Sequence, residues 1–195
     1  MSGAPQAISQ TMAICSVAEL GEPALALARP DLHPAGFVAQ LVEKKLYPDA
    51  VRFLAHALPK REAVWWAWMC ARRAAGGKPA PPLRAALEAT EKWIARPGEE
   101  ERRAAKAAAD VAGLGTSAGC AGLAAFFSGG SLAPPEASPV PPGEFLTAKA
   151  VSGAVIFAAV ATEPEKAPEK FQNFVAQALD VARRIHLWEP GPGGG

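Results

Sequence analysis

The residue types that most often carry chemistry are few and scattered in this chain: three histidines, His33, His56 and His186, and three cysteines, Cys15, Cys70 and Cys120. A structural or catalytic metal site draws its ligands from closely paired positions, such as CxxC or two histidines one helical turn apart. No spacing of that kind occurs. His33 reads as a cap or loop residue ahead of Pro34, His56 as a helix-face residue near Lys60, and His186 as a helix-end residue. An odd, sparse cysteine count without CxxC argues against a disulfide framework and for a reducing compartment. Cys120 has no adjacent base to activate it and reads as buried filler. The glycine-rich stretch "GLGTSAGCAG" at 113–122 resembles a phosphate cradle only superficially, because no strand precedes it and no GK[ST] follows. It reads as an interhelical turn leading into a close-packed helix. Ser117 and Ser128 lack a nucleophile signature. No catalytic, cofactor-binding or metal-ligating residue is assigned, and the expected class is non-enzymatic. A site assembled from distant residues would leave no local trace.

A second kind of chemistry, recognition, is suggested by "PKREAVWWAWMCARR" at 59–73, with three tryptophans in four positions and paired basic residues at both ends. At ~100° per residue the three indoles fan over roughly 160° of a helix, and Ala63, Ala67, Ala71 and Ala74 line the reverse side. No charge interrupts residues 63–71, as befits a helix buried within a fold. Trp66 shares its side with Glu62 and Arg73, so it is the indole expected to reach the surface. A tryptophan beside an arginine is a common interface anchor. Lys60 and Arg61 sit in the first turn, where cations oppose the helix dipole. They either pair locally with Glu62 or Asp49 or face an acidic partner. Lys60, Arg61, Trp66 and Arg73 are therefore the candidate partner-binding residues, with the Pro-rich segment 134–142 as a second candidate contact.

Prolines and glycines mark out the elements that must position these residues. Helices are expected over 34–46, 48–58, 59–75, 82–96, the "EEERRAAKAAADVAGLG" stretch, 116–128, 145–162 and about 168–187. Three glutamates open the fifth, where the dipole favours anions, and "GEEERR" at 98–103 reads as a solvated charged face. "GGSLAPPEASPVPPGE", at 129–144, reads as a loop or linker ahead of the last two helices. Sustained period-two alternation is missing, so the expected fold is all-α: one compact domain of about eight helices over 33–187 with mostly antiparallel neighbours. Residues 1–32 admit short helical turns or a strand, and 188–195 read as a flexible tail.

A length of 195 residues suits one domain, and a net charge of +1 excludes broad electrostatic capture of nucleic acid. The N-terminal stretch has no basic residue before Arg29 and so lacks a secretory signal's charged region. The longest apolar run, "AVSGAVIFAAVA" at 150–161, is too short to cross a bilayer. A cytoplasmic protein without an integral membrane segment is expected.

The stretch "RFLAHALPKREAVWWAWMCARR", centred on "ALPKREAVWWA", resembles an uncharacterised family of small, all-helical bacterial proteins, a domain of unknown function, whose members look like companions of type VI-like secretion loci. The resemblance is strongest over 34–75 and brings no catalytic residues. It implies an accessory, adaptor or chaperone role in effector delivery. The leading expectation is a helical protein–protein interaction module whose partner is another protein, with homo-oligomerisation left open. The alternatives are a small-molecule or lipid-binding bundle with its pocket among Trp65, Trp68, Phe157 and Phe174, an enzyme with a concealed site, and peripheral membrane association through 145–162.

Overall fold

The most apolar helices of the chain are also its innermost. In the computed structural model, which describes residues 9–189, α1 (Gln10–Cys15) and the one-turn α2 (Glu22–Leu25) precede eight further α-helices. These are α3 (Pro34–Glu43), α4 (Tyr47–Ala57), α5 (Lys60–Ala75), α6 (Pro81–Ala95), α7 (Glu99–Ala112), α8 (Ser117–Phe127), α9 (Leu146–Val160) and α10 (Ala167–Arg184). A single 3-10 turn, Pro164–Lys166, stands before α10. Among the described residues there is no strand. The all-α single domain expected from the proline grammar is what forms, and the eight helices beyond residue 33 start and stop within a few residues of the expected positions. The N-terminal region resolves in favour of helix. Residues 190–195 of the expected tail, like residues 1–8, lie outside the described residues.

The start and stop signals have identifiable causes. Proline occupies the first turn of α2, α3, α4, α6 and α10, where its missing N–H is no loss and its fixed φ suits the helix. His33 caps α3: its Nδ1 accepts from the Ala35 N–H at 3.2 Å. Thr116 caps α8, its Oγ1 accepting from the Gly119 N–H at 3.0 Å. Helix α3 stops three residues short of the expected end because Lys45 adopts φ 59°. The Leu46 N–H then returns to the Leu41 carbonyl and the Lys45 N–H to that of Val42, the double closure of a left-handed C-terminal cap.

Helices α5, α8 and α9 form the centre. The α6–α7 hairpin packs on α8 from one side, while α4 and α10 pack on α9 from the other. Eight of the eleven residues of α8 are buried, as are Val151, Ala154, Val155, Ala158 and Ala159 of α9, as expected of helices apolar around most of their circumference. The run at 150–161 is thus mostly interior as far as Ala159, and no single helix among the described residues is long and apolar enough to cross a membrane.

The tryptophan helix turns a different arc inward from the one expected. Trp66 has no exposed surface, and its Nε1–H donates to the Phe174 carbonyl at 2.8 Å. Trp68 is 8% exposed and donates to the Leu87 carbonyl at 3.0 Å, with Arg72 stacked over its ring. Trp65, midway in the fan, is only half-buried. The reason is steric. Ala63, Ala67 and Ala71 are buried, because small residues let the central helices approach that side closely. Trp66 and Trp68 border this alanine face, whereas Trp65 lies opposite it.

Candidate functional site

The four residues singled out for recognition do not share one surface. Trp66 is interior. Lys60 and Arg61 open α5 and Arg73 closes it, some 20 Å away at 1.5 Å per residue. Arg73 is exposed and lines a cleft of about 310 Å³ with Thr162, Glu163, Lys166 and Lys170. Lys170 is already committed there, its Nζ donating to the Thr162 carbonyl at the end of α9.

The N-terminal end of α5 is the more elaborate place. Arg61 does not pair with Glu62 or Asp49. Its Nε and Nη2 donate to the Ile94 carbonyl at 2.9 and 2.7 Å, satisfying an orphan acceptor in the last turn of α6. Asp49 is occupied elsewhere, accepting from the Gly21 N–H at 2.9 Å and facing Arg52 at 3.4 Å. Lys60 is exposed and forms no ion pair or side-chain hydrogen bond among the described residues.

Two depressions meet at Lys60. One, of about 470 Å³, is bounded by Arg61, Trp93, Glu99, Arg102 and the Ser128–Gly130 turn. The other, of about 180 Å³, is bounded by His56, Glu144, Phe145 and Thr147. These boundaries are the two ends of the connection between α8 and α9, so the loop and the start of α5 make a single face.

That connection is fastened to the body, contrary to the linker reading. Arg102, expected on a solvated face, is 3% exposed. Its Nε and Nη2 grip the Glu99 carboxylate at 2.7 and 2.8 Å, and Nη1 and Nη2 donate to the carbonyls of Phe126 at 2.6 Å and Ser131 at 2.8 Å. The guanidinium also lies over the Phe126 ring, 4.5 Å from its centre. Arg103 joins Glu99 at 2.6 Å and donates to the Ala133 carbonyl at 2.9 Å. The guanidiniums around Glu99, Arg102 foremost, hold its carboxyl at about 2. Gly130 is required twice over: its φ is 65°, and a Cβ there would stand 2.8 Å from the Arg102 guanidinium. Beyond it, Ser131 Oγ accepts from the N–H groups of Ala133 and Val140 at 3.1 and 3.0 Å. The Leu132 N–H reaches the Val140 carbonyl at 2.7 Å. Residues 131–140 form a loop with a closed neck.

Arg102, Gly130 and Ser131 are the positions that sequence reasoning missed. A signal existed in the i, i+3 and i, i+4 placement of Arg102 and Arg103 after Glu99, followed by Gly-Gly-Ser at the end of α8.

The cysteines and His56 are embedded in the fold, whereas His186 is exposed. The thiols of Cys15, Cys70 and Cys120 are all buried, and burial raises their pKa values. His56 donates through Nδ1 to the Arg52 carbonyl at 2.8 Å, and burial lowers its pKa. His186 pairs with Glu189 at 2.6 Å. Among the described residues no group of three or more His, Cys, Asp or Glu is placed to hold a metal ion.

Fold and face together define an all-helical domain with a built surface at the start of its central tryptophan helix. A family model described as a family of unknown function, DUF6931, matches residues 37–182, and the chain belongs to that family. No curated protein and no solved structure matches it.

Proposed function

We propose that this protein is a non-enzymatic protein–protein interaction module, a cytoplasmic adaptor or accessory protein of bacterial effector delivery that binds an acidic segment of its partner at the start of α5. The observation that carries the reading is Lys60, an exposed cation without a carboxylate partner among the described residues, standing between two depressions. Arg61 adds positive charge to the larger depression, where the guanidiniums of Arg102 and Arg103 outweigh the one carboxylate of Glu99. An unpaired lysine in a first turn works against the helix dipole, and an acidic partner residue would offset that cost. The setting, as distinct from the surface, rests on the resemblance carried by "ALPKREAVWWA".

The test uses Lys60→Glu in the full chain, with affinity capture from the native host followed by mass spectrometry and by titration of the captured partner. Arg61 is left intact because it closes α6. The new glutamate suits the first turn, so the helical circular dichroism is expected to be unchanged. Like-charge juxtaposition at an interface costs several kcal/mol, so the specific partner should be lost. Retention of every partner at parental affinity would remove the reading.

A further inference from the structure

The segment Ser138–Pro142, "SPVPP", is set by covalent geometry before any packing is considered. Pro139, Pro141 and Pro142 lock their own φ near −65°. Ser138, Val140 and Pro141 each precede a proline and are steered from the α region toward extended or polyproline II backbone. With φ fixed at the three prolines and the extended region favoured at the three residues that precede a proline, the five residues favour a left-handed extended rod, about 12–15 Å long at 3.1 Å per residue. Prolines 139 and 142, three apart, fall on one ridge of such a rod.

The fold then adds what a bare linker lacks. The neck of the loop is closed by Ser131 and by the bond from Leu132 to Val140, and it is tied to α7 by Arg102 and Arg103. Ser138, Pro139 and Pro141 are exposed, Pro142 is half-buried, and Val140 keeps half of its surface in water. The carbonyls of Ser138, Pro139 and Pro141 accept no hydrogen bond among the described residues. A stiff rod with free acceptors and exposed pyrrolidine rings, held by a buried arginine, has little conformational entropy left to lose on binding.

We propose that Ser138–Pro142 is a preorganised polyproline II ligand that docks into an aromatic-lined groove of a partner protein, the mode in which PxxP segments are recognised. This contact is separate from the one at Lys60 and stands without it.

The test titrates the isotope-labelled full chain with purified domains that bind polyproline II through aromatic grooves, of the SH3, WW and EVH1 folds, up to millimolar concentration. Val140 methyl and amide signals and the Gly143 amide report on the rod, since prolines have no N–H. At least one domain should shift these signals saturably. The double variant Pro139→Ala, Pro142→Ala should weaken that binding about tenfold or more with unchanged circular dichroism, while Lys60→Glu leaves it unaltered. The proposal is overturned if every domain leaves the signals unmoved. It is equally overturned if the double variant binds like the parent, or if the shifts fall elsewhere on the chain.

Discussion

Two regions of this molecule reach close packing by opposite means. Around α5, large rings fill the space and the two buried indoles of α5 each spend their one donor on a backbone carbonyl of another helix, Trp66 on Phe174 and Trp68 on Leu87. Where Gly122 of α8 meets α7, nothing large intervenes. A Cβ on Gly122 would stand 2.9 Å from the Ala105 carbonyl and 3.1 Å from the Ala109 methyl. The first seam tolerates no loss of volume and the second no gain. The same chain thus needs aromatic bulk and bare backbone on two sides of one core.

The comparison is broken most severely by emptying the first seam. Trp66→Ala removes a fully buried indole, and its expected cost is about 3–5 kcal/mol in equilibrium denaturation. Trp66→Phe keeps most of the volume but loses the bond to Phe174, so it should cost clearly less. Filling the second seam comes next. Gly122→Val is expected to destabilise by about 1–3 kcal/mol through overpacking, while Gly129→Ala, which meets nothing within 4 Å, should be nearly silent in the same measurement.

The expected helices were legible because prolines and glycines punctuate them locally: Pro34, Pro48, Pro59 and Pro81 open helices, and Gly76 and Gly113 close them. Which arc of each helix faces inward was legible only in part. A helical wheel gives angles between Trp65, Trp66 and Trp68, but the identity of the neighbour decides which indole stays at the surface. Arg102 failed for a related reason. Within "GEEERR" it has the look of one solvated charge among several, and only the Phe126 carbonyl, 24 residues further on, makes it a buried clamp. Lys60 and Arg61 read as one basic pair in the sequence, yet Lys60 is exposed and free of side-chain bonds among the described residues while Arg61 is a helix-closing residue, a distinction that depends on Ile94, 33 positions away.

Smaller effects follow from titration. Glu99 sits at about 2 against an ordinary 4.5, so the unfolded chain binds its proton first. Its contribution is complete above 4.5 and fades as pH falls toward 2. His56, lowered from 6.5 by burial, acts in the same direction at higher pH: stability declines as pH drops below 6.5 because the unfolded imidazole takes up the proton more readily. Thermal melts across this range should show two declines on acidification, with the upper one flattened in His56→Gln and the lower one in Glu99→Gln.

The face at the start of α5 exists only if the α8–α9 connection is clamped, and amide hydrogen exchange of Leu132 and Val140 tests this most directly. Both amides are expected to be protected in the parent chain. In Arg102→Met their protection should collapse while that of the α5 amides persists. Exchange of both amides at the unstructured rate in the parent chain would contradict the clamp and, with it, the face.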